Sequence, residues 1–439
     1  MNIWYGEVVS ADRNVPFRNY GAAGKARQDA HKFLKQIGAR PIPMYAYDWD
    51  DEPDESISAR MDGILAGVKK GDVIIQTYPN GTNSPKYLDY FFNRAHTFGA
   101  TVVGYIHDIN LYRGDFYDWK NEEVNPAYSY YLAYITLREF DALICPTENM
   151  AVQLRHDIGY AGPIAISGPH GFDTPMIPDR CQKSNTVVFA GSFEKNRSLN
   201  SLMDNSPEIN FNIYGGSVGE NEGENGVRVY LDEHPNADIK GKYDPDALIM
   251  ALEGSYGLVW DSLDYPDVIG GKGLYEILNT PHKFSMYIAA EIPLIVWSKI
   301  GLADYVVENN IGWIIDDLTQ LQDLVLSITE EDYEEKLNSL EVIGAMIRSG
   351  MQLKKSIFEV VSMLNEKALY EVATDDKNPA PDLGIDKWII DMYEKELEGL
   401  KDVYLSDEFL NYFRQNLYLD EPNYVRAKEI LIEMGKLEA

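Results

Sequence analysis

The sequence predicts an α/β protein made of two doubly wound halves, each a mostly parallel sheet covered by helices. Three observations predict it. Short β-rich runs alternate with stretches of helical periodicity, the signature of successive βαβ units. A segment rich in proline and glycine, residues 167–183 with Pro169, Gly171, Pro175 and Pro178, interrupts the alternation, which then starts again. The chain of 439 residues suits two or three domains at about 100–200 residues each.

The elements follow in order. Residues 3–9 read as a strand, and residues 25–37 as a helix with Ala26, Ala30, Phe33, Leu34 and Ile37 on one face. Residues 72–76 form an apolar strand. A helix carrying Leu88, Phe91 and Phe92 precedes a strand at 101–106. Residues 127–140 read as helix, 142–145 as strand and 149–158 as helix. Beyond the break, strands fall at 186–191, 211–216, 257–260, 293–297 and 312–315. The helix at 281–290 has proline at its first position, where a missing N–H costs nothing. Residues 330–364 read as one long helix. This divides the chain into a first α/β domain at 1–170, a second at 171–364 and an extension at 365–439.

That extension has a different character. Asn378-Pro-Ala-Pro-Asp382 forms a polar hinge, and Trp388, Ile389, Met392, Tyr393, Leu397 and Leu400 then recur at helical spacing. From Glu366 onward there are 18 acids and 9 bases. The tail reads as an acidic helical appendix with a solvated surface; docking or self-association into a homo-oligomer is the alternative.

Charge excludes several functions. With 70 acidic residues against 39 Lys and Arg, the formal net charge is −31. Nothing basic enough for a nucleic-acid footprint is present, and such a surface repels anionic lipid. An anionic ligand must therefore be held by a few local cations. Two cysteines, Cys145 and Cys181, make no disulfide framework. Sparse cysteine, no signal-peptide pattern at the start and no apolar run of the roughly 18 residues a spanning helix needs point to the cytoplasm. No GxSxG, HExxH or CxxC supports serine-hydrolase or zinc chemistry.

The candidate site residues lie at strand-to-helix turns, where α/β sheets bind ligands. His107-Asp108 ends a buried strand, and either side chain would serve as a general base near neutral pH. Gly21-Ala-Ala-Gly-Lys-Ala26 fails the phosphate-loop pattern but places Gly24 and Lys25 at a helix start. In Gly191-Ser-Phe-Glu-Lys-Asn-Arg197, Lys195 or Arg197 would neutralise a diphosphate. Tyr214-Gly-Gly216 ends the next strand, where the ring would stack on a base. In Asn279-Thr-Pro-His-Lys283, His282 and Lys283 open a helix, an unfavourable place for cations unless they bind an anion. Asp261, in Trp260-Asp261-Ser262, would bond a sugar hydroxyl, and Gly270-Gly-Lys-Gly273 beside it reads as a loop over the same cleft. Asp48-Trp-Asp50 has the spacing of a metal-binding pair. In so acidic a polar stretch the spacing carries little weight, so no metal and no other cofactor is expected.

The stretches GLVWDS, NTPHKFSMYIAAEIPLIVW and LADYVVENNIGW, with GKARQD and GYIHDINLYRG before them, resemble a bacterial glycosyltransferase family. It comprises nucleotide-sugar-synthetase-like glucosyltransferases, which add glucose to N-acetylglucosamine on serine-rich-repeat adhesins, and β-1,6-galactofuranosyltransferases. The resemblance implies the GT-B fold, two Rossmann-like domains facing across a cleft. It implies a UDP-sugar as co-substrate, glucose first, bound in the second domain without metal. By motif position Lys283 would hold the diphosphate with Lys195 or Arg197, and Tyr214 would contact the nucleotide. Gly24, Lys25, His107 and Asp108 would face an acceptor, a glycosylated protein or a glycan, and transfer would invert configuration. Two alternatives stand beside this reading: a non-catalytic sugar- or nucleotide-binding subunit of a transferase complex, and a galactofuranosyltransferase acting on a surface polysaccharide.

Overall fold

The computed structural model describes residues 1–10, 21–46, 49–79, 84–113, 117–118, 123–124, 133, 136–174, 176–177, 182–192, 196, 198–215 and 234–365. The acidic extension, Lys195, Arg197, Asp48 and Cys181 lie outside these residues, and so does most of the helix expected at 127–140.

Two six-stranded parallel sheets form the molecule. The first comprises β1 (Ile3–Ser10), β2 (Arg40–Ala46), β3 (Val73–Tyr78), β4 (Thr101–Ile106), β7 (Ala142–Cys145) and β8 (Ile164–Ile166). A two-stranded pairing of β5 (Tyr117–Asp118) and β6 (Glu123–Val124) lies between β4 and β7 in the chain. The order across the sheet is β2-β1-β3-β4-β7-β8. The second sheet comprises β9 (Thr186–Ala190), β10 (Asn210–Tyr214), β11 (Ala237–Gly241), β12 (Tyr256–Val259), β13 (Leu294–Trp297) and β14 (Gly312–Ile315), in the order β11-β10-β9-β12-β13-β14. Central strands such as Ala-Leu-Ile-Cys of β7 and Leu-Ile-Val-Trp of β13 are buried throughout, as strands covered on both faces must be.

In each sheet the order reverses once, between β1 and β3 and between β9 and β12. Connections diverge there, and a crevice opens at the carboxyl ends of the strands. β2 was not expected, because Pro41 and Pro43 interrupt its pattern. It forms because it is an edge strand, where a missing N–H goes unneeded.

The long helix expected at 330–364 is two helices, Glu330–Arg348 and Met351–Asn365. Between them Gly350 adopts φ 64°, and a Cβ there would meet the Phe33 ring at 2.2 Å. The second helix returns to the first domain. Leu353, Ile357 and Val360 complete a core with Tyr5, Ala30, Phe33, Leu34, Val103 and Ile144. No described helix is long and apolar enough to cross a membrane.

Candidate functional site

At the switch point of the second sheet, Lys283 is the central cation. It lies in the first turn of the helix His282–Ala289, behind the Pro281 cap. Its buried ammonium donates to Trp260 O (2.7 Å) and to Asp261 Oδ1 (2.6 Å), both at the end of β12, and lies 4.9 Å from the centre of the Phe189 ring. Asn196, buried in the turn after β9, donates through Nδ2 to the same Asp261 oxygen (3.0 Å) and to Ser192 O (2.9 Å), while its Oδ1 has no partner. The structure thus unites Lys283 and Asp261 and adds Asn196, which sequence reading passed over between its two charged neighbours. The Gly270–Gly273 stretch includes a short helix, Gly271–Leu274, and Gly273 packs so closely that a Cβ would lie 2.1 Å from Asp261 O.

His282 goes elsewhere. Its ring packs against Phe172 of the linker (4.9 Å between centroids) and its Nε2 is buried without a partner. Burial and the nearby His170 and Lys25 drive its pKa down to about 3. The expectation of two cations at this helix start is therefore corrected: Lys283 is paired with Asp261, which offsets the macrodipole cost, and His282 is neutral. Tyr214 is also placed apart. Its ring is buried in the core near Tyr243, and its hydroxyl donates to Ala251 O (2.6 Å) and accepts from Glu253 N (2.9 Å). It offers no open face for stacking.

Across the cleft, His107 and Asp108 follow β4. His107 is buried with neither ring nitrogen partnered. Its ring stacks on His170 (5.1 Å, 14°) and meets Tyr105 edge-on (4.6 Å), and Tyr105 shares a 2.9 Å hydrogen bond with His170 Nδ1. Burial, then the neighbouring His170, Arg27, His31 and His282, holds the His107 pKa well below the usual imidazole value, so the ring is neutral at pH 7. Asp108 is engaged: Asn279 Nδ2 donates to its Oδ1 (3.0 Å) and to His107 O (3.0 Å), and the Arg27 charge lies nearby. Among the described residues, no three His, Cys, Asp or Glu side chains converge as metal ligands do.

Gly24 and Lys25 are buried in the first turns of the helix Ala22–Gln36. Lys25 Nζ donates to Asp29 (2.7 Å), to Asp173 O (2.5 Å) and to Asp246 of the second domain (2.8 Å), above the Phe172 ring. An ammonium has three donors, and all three are taken. The expected acceptor-facing lysine is a strut joining first domain, linker and second domain. Further bonds close the same seam: Ile109 N to Tyr275 Oη (2.8 Å), Asn149 Nδ2 to Ile277 O (3.0 Å) and Thr147 Oγ1 to Leu278 O. Asn279 and Tyr275 were not expected here. The only signal for Asn279 was its place at the head of the Asn279-Thr-Pro-His-Lys283 turn.

Residues 13–168 match the family model described as "Glucosyltransferase 3-like, N-terminal domain", and residues 187–360 the one described as "Glucosyltransferase 3-like, C-terminal domain". Glucosyltransferase 3 of Streptococcus gordonii is 27% identical over 357 residues, covering 78% of this chain and 96% of that protein. The β-1,6-galactofuranosyltransferase WbbI of Escherichia coli (strain K12) is 25% identical over 367 residues, covering 81% of this chain and 98% of that protein. Among solved structures, sucrose-phosphate synthase of Thermosynechococcus elongatus has the same fold. Its TM-score is 0.54 at 13% identity, over 82% of this chain and 99% of that one.

Proposed function

This chain belongs to the glucosyltransferase 3-like family and is a glycosyltransferase of GT-B fold, and from that premise we propose the reaction and its residues. The donor is a UDP-hexose, glucose first, and the acceptor is a sugar such as N-acetylglucosamine on a glycoprotein or a glycan. The observation that carries the donor side is Lys283, held with Asp261 and Asn196 at the switch point of the second sheet.

Cations are scarce in this chain, and this one is buried where α/β folds place phosphates. As the sugar–phosphate bond breaks, negative charge grows on the departing UDP. A preplaced ammonium stabilises that charge without solvent reorganisation. On this reading the transfer needs no metal. Lys195 or Arg197, which flank Asn196 in sequence, supplies the second cation. When a diphosphate takes Lys283, Asp261 is released toward a ribose or hexose hydroxyl.

On the acceptor side the neutral imidazole of His107 is the base. The acceptor hydroxyl attacks the anomeric carbon opposite the departing UDP, its proton passes to a ring nitrogen, and configuration inverts. Asp108, already bonded by Asn279, keeps the two domains in register rather than taking the proton. The similarity to WbbI supports a second reading, in which the sugar moved is galactofuranose.

The test is calorimetric titration with UDP, UDP-glucose and UDP-galactofuranose, with and without EDTA, on the wild type and Lys283→Ala. A charge-assisted contact of about 1.5–3 kcal/mol predicts a 10- to 100-fold weaker UDP affinity in the variant. EDTA should change nothing. Equal affinity of wild type and variant would refute the donor site, and loss of binding in EDTA would refute the metal-free reading.

A further inference from the structure

The helix Met351–Asn365 has one face committed and one face open. Gln352, Leu353, Ser356, Ile357 and Val360 are buried, the three apolar ones in the core of the first domain. On the opposite side Met351, Lys355 and Phe358 recur at i, i+4 and i+7, so they share one stripe. Met351 is 47% exposed and Phe358 60%. A single exposed apolar residue is ordinary. A thioether and an aromatic ring on one stripe, with a lysine between them, form a surface that another apolar element can cover.

The stripe is also basic, in a chain whose net charge is −31. Lys354 donates to Gln36 Oε1 (2.6 Å) and to Ser349 O (2.7 Å), both neutral acceptors. Burial lowers its pKa from the ordinary lysine value, with no carboxylate to offset the loss of water. Lys355 is exposed, and among the described residues neither lysine is paired with a carboxylate, although Glu359 lies one turn beyond Lys355. The element that fits such a face is apolar and acidic. The chain's own continuation has that chemistry. The family model of the second domain ends at residue 360, and residues 366–439 carry 18 acids and 9 bases. Within them Trp388, Ile389, Met392, Tyr393, Leu397 and Leu400 stand at helical spacing, and the same stretch holds Asp391, Glu394, Glu396 and Glu398 against Lys395 alone.

We propose that residues 388–400 dock as an amphipathic helix on the outer face of the helix Met351–Asn365 of the same chain, with the apolar side chains on Met351 and Phe358 and the acids beside Lys354 and Lys355. The lengths agree. A helix over 388–400 is about 18 Å long, and the helix it covers about 22 Å. The 22 residues between them, 366–387, reach about 70 Å when extended. Pro379 and Pro381 interrupt any helix in that connection, so the chain can reverse there. A tether of this kind presents the segment at an effective concentration in the millimolar range. A second copy presents the same segment only at its concentration in solution, and that favours the chain's own face. This docking is independent of the transfer reaction proposed above.

The test is limited trypsin digestion of the full-length chain, with cleavage after Lys395 and Lys401 followed by mass spectrometry at fixed trypsin and over about a hundredfold range of protein concentration. A docked helix is cut only while it is released, so the rate reads the released fraction. Wild type is compared with Phe358→Asp, Lys355→Glu and Trp388→Asp. We expect cleavage about tenfold faster in Phe358→Asp and Trp388→Asp and about threefold faster in Lys355→Glu, with a wild-type rate that does not change on dilution. Phe358 and Lys355 lie on an open face, so their variants keep the first domain's core; if Phe358→Asp fails to fold, Lys355→Glu gives the same test. Equal cleavage in the wild type and all three variants overturns the proposal. Faster cleavage in Trp388→Asp alone also overturns it, because the segment is then packed somewhere other than this face. Wild-type protection that is lost on dilution overturns it too, assigning the segment to a second copy.

Discussion

His107 presents two unpartnered ring nitrogens, whereas the neighbouring Asp108 is engaged. Asp108 is bonded by Asn279 and faces Arg27, so the ordinary advantage of a carboxylate, its charge, is already spent on the domain seam. His107→Gln should lower kcat by about 10²–10⁴-fold, the range for a lost general base, with UDP affinity unchanged. The wild-type kcat profile should show no acid limb at pH 6.5, because the ring titrates well below that value. A limb at 6.5 would assign the base elsewhere. Neutral histidines also govern stability. Burial brings His31 and His170 down to about 4 and His282 to about 3, against about 6.5 in an unfolded chain. Between those values the unfolded chain binds more protons, so stability falls as pH drops below about 6.5. The slope is up to about 1.4 kcal/mol per pH unit for each imidazole. Asp29, raised to about 6 by burial, acts oppositely and offsets about one of the three. The melting temperature should therefore fall steadily from pH 6.5 to 4; a flat profile contradicts neutral burial.

At the scale of elements, the donor site depends on how closely the short helix Gly271–Leu274 approaches the end of β12. With 2.1 Å from a Gly273 Cβ to Asp261 O, any side chain there must displace the strand end that holds Lys283. Overpacking of this kind costs about 1–3 kcal/mol. Gly273→Ala should weaken UDP binding about tenfold by calorimetry, although no atom of residue 273 contacts the ammonium. Wild-type affinity in this variant would mean that the strand end is not what positions Lys283. The elements themselves were largely legible. β4 and β7 occupy the residues their apolar runs suggest, because a strand buried on both faces needs nothing beyond its own composition. β2 was not legible, because proline reads as a break unless the strand is known to be at an edge. The helix break at Gly350 was not legible either, because the close contact that demands glycine is with Phe33, more than 300 residues away in sequence.

Across the whole molecule, the chain crosses between domains twice. It passes once through the linker and again at Gly350, so the last described helix is part of the first domain's core. Ile357→Ala should destabilise by about 2–5 kcal/mol. Hydrogen exchange should locate the loss in β1, β3, β4 and β7 rather than in β9–β14. Increased exchange confined to the second sheet would contradict that packing. The seam is polar where the domains face each other. Lys25, Tyr275, Asn279, Thr147 and Asn149 join backbone and side chain across it. The Lys25–Asp246 arm is the weak one, since the Asp246 side chain is 60% exposed and an exposed pair contributes little.

By itself the sequence determined the two-halved α/β architecture, the strand-to-helix turns that carry the site and the family. These depend on local periodicity and on motifs contiguous in the chain. It also singled out Asp261 and His107, each just after a recognisable strand, and Lys283, in the first turn of a helix. Only the tertiary structure decided what these side chains do together. Lys283 pairs with Asp261 while its neighbour His282 turns to the linker and stays neutral. Lys25 becomes a strut, Tyr214 enters the core, and Asn196 and Asn279 complete the two sides. The physical reason is that charge state and hydrogen-bond occupancy depend on burial and on partners 22 to 221 residues away, and local sequence encodes neither.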